Sequence, residues 1–103
     1  MILEWTEPAV NALQGIHDYI AQDQPFYATR FIERIVLTTE RLRDFPDIGR
    51  KVPEAVNKGD IRELIFQGYR VIYRHGPDRV LILTVVHGSR DLTRQPVKPW
   101  EVG

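Results

Sequence analysis

Three successive β-strand patterns between residues 61 and 87 constrain the fold of this chain more than any other feature. The segments Ile61–Phe66, Tyr69–Arg74 and Val80–His87 are rich in the β-branched and aromatic side chains that favour strands. Gln67-Gly68 between the first two is typical of a tight hairpin, and His75-Gly76-Pro77-Asp78 of a longer one. These residues therefore predict an antiparallel sheet, with the nearly all-apolar third segment in its interior.

The first half of the chain carries helical periodicity after a short strand at Ile2–Trp5. Thr6 is placed to cap a helix that begins at Glu7-Pro8, and Pro25 opens a second helix after a polar break. Apolar side chains recur at helical spacing along both segments. Together with strand residues, they are expected to form the core: Leu13, Ile16, Phe31, Ile35, Leu42, Val71, Leu83 and Val85.

The order strand, helix, helix, strand, strand, strand predicts an α+β fold, in which a helical hairpin packs on one face of a mainly antiparallel sheet. At 103 residues, the chain is expected to be one domain over residues 1–103, with 91–103 as a C-terminal tail in which Trp100 is a candidate anchor. Lys51–Asp60 is expected to be an irregular loop. The sheet face opposite the helices is expected to be partly open and edged with arginine.

Charge is distributed unevenly along the chain. Residues 1–49 carry four basic and eight acidic side chains, and residues 50–103 carry ten and six, so the halves have formal charges of −4 and +4. This asymmetry favours an acidic partner, either a nucleic acid or an acidic protein segment. The candidate partner-binding residues are the arginines of the strands and tail: Arg62, Arg74, Arg90 and Arg94.

Several classes of site and location are excluded or disfavoured. The absence of cysteine rules out disulfides and thiolate metal ligands, and the three histidines are too scattered to suggest a metal site. No cofactor is expected. The N-terminus lacks the features of a signal peptide, and no segment has the ~20 apolar residues that span a bilayer. We therefore expect a cytoplasmic protein without a membrane partner.

The order and spacing of several segments resemble the RelE/ParE family of bacterial toxins from toxin–antitoxin operons. The segments that carry this likeness are Trp5-Thr6, Ile16-His17-Asp18-Tyr19-Ile20-Ala21, Pro25 with Ala28 and Phe31, Leu42-Arg43-Asp44-Phe45-Pro46-Asp47-Ile48-Gly49-Arg50, Arg62-Glu63-Leu64, Tyr69-Arg70-Val71-Ile72-Tyr73-Arg74 and Val86-His87-Gly88-Ser89-Arg90. The resemblance implies a small cytoplasmic growth inhibitor. It also implies a hetero-oligomer with a cognate antitoxin, whose disordered tail folds along the toxin surface.

The family contains two main activities, and the resemblance leaves both open. RelE-like members enter the ribosome and cut mRNA, whereas ParE-like members generally poison DNA gyrase and are not nucleases. For a nuclease, the resemblance assigns Arg70 to gripping phosphate, Arg90 to stabilising the transition state and His87 to acid–base chemistry. The structural alternatives are an ion pair for Arg70, a cap or carboxylate partner for Arg90 and a hydrogen-bonded strand end for His87.

The chain departs from the RelE pattern at two positions, Glu63 and Pro96. Glu63 stands where a lysine is expected, and Pro96 falls near the position of an aromatic residue associated with catalysis. These departures, and the segments around the first helix, favour a ParE-type toxin that binds gyrase and is not an enzyme. The alternatives are a RelE-type endonuclease acting on the ribosome and mRNA, and a family member without toxicity.

Overall fold

A computed structural model describes residues 1–101 and confirms the predicted α+β fold. The elements are β1 (Ile2–Trp5), α1 (Glu7–Ala21), α2 (Pro25–Glu40), β2 (Arg50–Lys51), β3 (Ile61–Phe66), β4 (Tyr69–His75) and β5 (Arg79–His87). The last two residues of the predicted tail, 102 and 103, lie outside the described residues. Within residues 1–101, no helix has both the length and the apolar character that crossing a bilayer requires.

The sheet has five strands in the order β1-β5-β4-β3-β2. β1 runs parallel to β5, and every other neighbouring pair is antiparallel. The sequence analysis did not predict β2, which pairs Arg50 with Glu63 and Lys51 with Arg62 at the edge of the sheet. Gln67 and Gly68 have φ angles of 44° and 87°, as expected for the two-residue turn that their sequence indicates.

The start of α1 is tied to the central strand β5 through Thr6. The Thr6 hydroxyl accepts a hydrogen bond from the Ala9 N–H at 3.1 Å and donates one to the Leu83 carbonyl at 3.1 Å. The helix therefore leaves the sheet at a fixed position. Leu13 and Ile16 are partly buried and pack against the core, whereas the other six predicted core residues are fully buried.

Both faces of the sheet are covered, which corrects the expectation of a partly open face. One face packs against the helical hairpin, with Phe31, Ile35 and Leu42 buried on the helical side. The other face is covered by the loop after β2 and by the tail, and its core consists of Val52, Ala55, Ile61, Ile72, Leu83, Val86, Leu92 and Trp100. The tail is thus part of the fold, anchored by Trp100, which is only 6% exposed.

Tyr73 fixes the chain reversal that follows α2. Its hydroxyl donates to the Pro46 carbonyl at 2.7 Å and accepts from the Gly49 N–H at 3.0 Å. Burial raises the pKa of Tyr73 above its ordinary value, which keeps the phenol protonated as a donor. Gly49 is required for close approach, because an added Cβ would lie 2.5 Å from the Tyr73 hydroxyl and 2.7 Å from the Glu63 carbonyl oxygen. The Phe45–Arg50 segment is therefore a structural clamp.

Replacing Tyr73 with phenylalanine is expected to lower the free energy of unfolding by about 1–3 kcal/mol, because two backbone groups lose their hydrogen-bond partner. Tyr69→Phe is the matched control, since the Tyr69 hydroxyl makes no hydrogen bond within residues 1–101. Urea titration of the three proteins measures both effects. Equal midpoints for Tyr73→Phe and the wild-type chain would contradict the clamp.

Candidate functional site

A groove lies between α1 and the carboxyl end of β5. It has a volume of about 300 Å³ and is lined by Ala12, Gly15, Ile16, Tyr19, Tyr69, Val85, Val86, His87 and Arg90. Gly15 lies in the middle of α1, and a Cβ added there would meet no atom within 4 Å. Tyr19, one turn further along, is 71% exposed. The groove is therefore an accessible apolar surface, with His87 and Arg90 at one end.

The structure places His87 at the rim of the groove. Its Nδ1 atom accepts a hydrogen bond from the Ser89 N–H at 3.2 Å and lies 2.7 Å from the Ser89 hydroxyl oxygen. Since the backbone N–H can only donate, Nδ1 is unprotonated in this arrangement and Nε2 carries the proton. The imidazole also contacts the Tyr69 ring in an edge-to-face arrangement, with 5.6 Å between centroids. His87 is thus oriented by neighbours but remains exposed.

Arg90 is the second sequence-predicted site residue at this groove. Its Nε and Nη2 atoms lie 2.9 and 3.1 Å from the Gln95 side-chain oxygen, in the amide orientation that satisfies both groups. Within residues 1–101, no carboxylate forms an ion pair with Arg90. The structural alternative for Arg90, an ion pair with a carboxylate such as Asp91, is therefore not seen. Asp91 pairs with Arg94 instead, at 3.7 Å. An uncompensated positive charge remains at the groove.

Arg70 does not reach the groove, because its side chain lies on the opposite face of the sheet within a buried ion-pair network. Its guanidinium donates to both carboxylate oxygens of Glu54 at 2.7 and 2.8 Å and to Glu63 at 2.7 Å. It also donates to the Arg90 carbonyl at 3.1 Å. The side chain is only 5% exposed. This geometry favours the structural alternative for Arg70 over contact with a substrate phosphate.

The two carboxylates of this network connect it to other parts of the chain. Glu63, fully buried, accepts a second charged hydrogen bond from Arg50 at 2.6 Å. Glu54 accepts from the Leu92 N–H at 3.2 Å, which joins the loop after β2 to the tail. Hydrogen bonds from Arg70, opposed by burial, lower the pKa of Glu54 to about 2. Glu54, Glu63 and Arg70 are therefore charged, and their ion pairs join the loop after β2 to the second face of the sheet.

The remaining predicted partner-binding arginines are dispersed. Arg62 donates to the Gly49 carbonyl at 2.9 Å, beside Asp47 at the β2 edge of the sheet. Arg74 pairs with Asp60 at 3.5 Å and donates to the Trp100 carbonyl at 2.5 Å. Arg94 is 87% exposed on the tail. Of the predicted residues, only His87 and Arg90 come together at the groove.

Sequence reasoning missed the contribution of α1 to the groove. Gly15 and Tyr19 are one helical turn apart and share a face with Ala12 and Ile16. A mid-helix glycine costs ~0.5–1 kcal/mol relative to alanine, so this residue was a signal that the helix face serves a purpose other than core packing. Glu54 was also missed, since no local pattern marks it. No three potential metal-ligating side chains converge within residues 1–101.

Comparison with known proteins identifies similar chains at the levels of family, sequence and structure. Residues 3–92 match the family model described as the ParE toxin of the type II toxin–antitoxin system parDE. The chain is 36% identical over 90 residues to "Putative toxin Y4kP" of Sinorhizobium fredii. This alignment covers 85% of this chain and 88% of that protein. A solved chain from the "Chromosomal ParDE TA system from P. aeruginosa" superposes with a TM-score of 0.73 at 23% identity, covering 84% of this chain and 95% of that one. At that identity, the structural match supports the fold alone.

Proposed function

The chain belongs to the ParE toxin family of type II toxin–antitoxin systems, and on that premise we propose that it inhibits growth by binding DNA gyrase and is neutralised by a cognate antitoxin. We name gyrase as the target because members of the ParE branch generally poison it. The observation that carries the choice of a binding mechanism over RNA cleavage is the burial of Arg70.

A nuclease of the RelE type needs cations that face the phosphate whose charge develops in the transition state. Here the Arg70 guanidinium faces Glu54 and Glu63, and Glu63 occupies the position at which the RelE pattern has a lysine. Exchange of a lysine for this glutamate replaces a phosphate-binding cation with an internal partner for arginine. This arrangement supports a toxin that works by holding a protein target, without breaking a bond itself.

The groove between α1 and β5 is the proposed seat of the antitoxin. The apolar side chains that line the groove can pack against the apolar side of an amphipathic segment. Arg90 can pair with an acidic side chain on that segment. Gly15 lets a partner backbone approach α1 more closely than any other residue would allow. We expect the gene adjacent to that of this chain to encode the antitoxin.

Two substitutions test this seat by calorimetric titration with the purified product of the adjacent gene. Tyr19→Ala should weaken binding by tenfold or more, since central tyrosines are frequent hot spots worth ~2 kcal/mol. Gly15→Ala should raise the free energy of unfolding by ~0.5–1 kcal/mol, through helix propensity, yet lower the affinity, because the added methyl enters the contact. Opposite signs for stability and affinity distinguish a binding surface from a general defect.

Leu37→Ala is the matched control for Tyr19→Ala, because Leu37 is 68% exposed on α2 and lies outside the groove. It should bind the antitoxin with the wild-type affinity. The same antitoxin should restore DNA supercoiling when added to gyrase that the chain has inhibited. Unchanged affinity in both groove variants would show that the antitoxin binds another surface. Absence of binding to the wild-type chain would contradict the proposed neutralisation.

A further inference from the structure

Two arginines on α2 differ from most others in the chain because no carboxylate compensates their charge. Ion pairs to aspartate or glutamate are formed by Arg43, Arg50, Arg62, Arg70, Arg74, Arg79 and Arg94. Within residues 1–101, the guanidinium group of neither Arg30 nor Arg34 makes a hydrogen bond or ion pair, and Glu33 between them pairs with neither. Arg30 and Arg34 are four residues apart on one helix, so their Cβ atoms are ~5–6 Å apart. Two like charges at this spacing destabilise a helix.

These two side chains line a second concave site, which shares no lining residue with the groove. Tyr27, Arg30, Phe31 and Arg34 of α2 form it together with Gln67 of the β3–β4 turn, around a volume of about 190 Å³. Its floor is fixed, because Phe31 is 4% exposed and packs against Phe66 and Tyr69 at centroid distances of 5.5 and 5.4 Å. Tyr27 is 45% exposed and supplies an accessible aromatic wall.

We propose that the Arg30–Arg34 site binds a single carboxylate side chain of the antitoxin, held between the two guanidinium groups and packed against Tyr27. Planar guanidinium groups bind carboxylates through paired hydrogen bonds, and an aromatic ring beside them packs the attached methylene groups. The like-charge repulsion present in the free chain is relieved when an anion enters between them. This inference rests on the proposed function, since it assigns a second contact to the same partner.

The surroundings of the site favour a point anion on a protein over the backbone of a nucleic acid. Residues 1–49, which include α2, have a formal charge of −4, and the whole chain has a net charge of zero. Nucleic-acid-binding domains carry extended basic patches that contact many phosphates, whereas this site has two arginines among Tyr27, Phe31 and Gln67. Two arginines beside aromatic rings suit one acidic side chain with apolar neighbours.

The test compares the wild-type chain with an Arg30→Gln/Arg34→Gln double variant by calorimetric titration of the purified antitoxin from the adjacent gene. Affinity should fall by tenfold or more in the double variant, and the salt dependence of binding should decrease. Arg41→Gln is the matched control, because Arg41 is also exposed and also lacks a carboxylate partner within residues 1–101, but lies outside the site. It should bind like the wild type, and Arg30→Lys/Arg34→Lys should recover part of the lost affinity.

A double-mutant cycle then identifies the partner group. Each aspartate or glutamate of the antitoxin is changed to its amide, and one of these changes should weaken binding to the wild-type chain but not to the double glutamine variant. Equal affinities of wild type and double variant would overturn the inference while leaving antitoxin neutralisation intact. Absence of any antitoxin binding would overturn both. Loss of binding to a 20-bp DNA duplex in the double variant, with antitoxin affinity unchanged, would reassign the site to nucleic acid.

Discussion

Arg70→Ala is expected to lower the free energy of unfolding by about 3–5 kcal/mol, the largest stability effect of any single exchange considered for this chain. The change removes the cation shared by Glu54 and Glu63, which leaves Glu54 without a cationic partner and Glu63 paired with Arg50 alone on a covered face of the sheet. Breaking a buried ion pair from one side has this cost because the remaining charge is desolvated without compensation. A typical domain has ~5–15 kcal/mol in total, so the variant should be close to unfolding.

Arg79→Ala is the matched control, since it removes an arginine that pairs with Glu4 on an exposed part of the sheet. Surface pairs are worth ~0–1 kcal/mol, so its urea midpoint should stay near that of the wild type. Arg70→Ala/Glu54→Gln should recover part of the loss, because the carboxylate that lost its cationic partner is also removed. If Arg70→Ala unfolds within about 1 kcal/mol of wild type, the network is not a structural element.

The same network gives the chain a defined acid sensitivity. The pKa of Glu54 is lowered from its ordinary value of 4.5 to about 2, chiefly by hydrogen bonds from Arg70. A group whose pKa is depressed by folding stabilises the folded state above its unfolded pKa and loses that contribution as the pH falls through the folded value. The contribution, up to about 3 kcal/mol, is therefore present above pH ~4.5 and lost towards pH 2. In a Trp5→Phe background, the fluorescence of Trp100 reports release of the tail, and Glu54→Gln should flatten this transition.

The elements of the fold were predictable because their signals are local. Helical spacing, the Thr6 cap and the Gln67-Gly68 turn each act over a few residues, and each is found in the structure where the sequence placed it. The covering of the second sheet face was not predictable in this way. Val52, Leu92 and Trp100 lie in segments without periodicity, and they are buried only because the sheet offers an apolar face to which they can pack.

The candidate site was predicted in part for the same reason. His87 and Arg90 lie at the end of a strand, so their shared location follows from sequence proximity. Arg70 alternates to the other sheet face, and its carboxylate partners come from an irregular loop and a neighbouring strand. Which arginines are neutralised and which remain uncompensated depends on such tertiary pairing. Counting charge along the chain therefore indicated an acidic partner, but it could not separate Arg62, Arg74 and Arg94, which form ion pairs within the chain, from Arg90, which forms none within residues 1–101.

His87 separates the two activities of the family most sharply, because it is exposed, oriented by Ser89 and placed beside Arg90 at the groove. In an RNA-cleaving toxin, its imidazole would transfer a proton, and its removal would cost ~10²–10⁴ in the rate of cleavage. In a gyrase poison, the chain breaks no bond, and the same removal costs only a rim contact. His75→Ala is the matched control, since His75 pairs with Asp47 away from the groove.

We expect His87→Ala to retain growth arrest in cells that lack the antitoxin, with elongated cells and intact mRNA. Folding of the variant is checked by its melting temperature, since a misfolded chain would imitate a loss of catalysis. Purified wild type and variant should both cause cleaved DNA to accumulate with gyrase, to within a few-fold of each other, and neither should cut mRNA on ribosomes. Ribosome-dependent cleavage by the wild-type chain that a folded His87→Ala variant has lost would assign the toxin to the nuclease branch, with Arg90 as its remaining candidate cation and Arg70 confined to the network beneath.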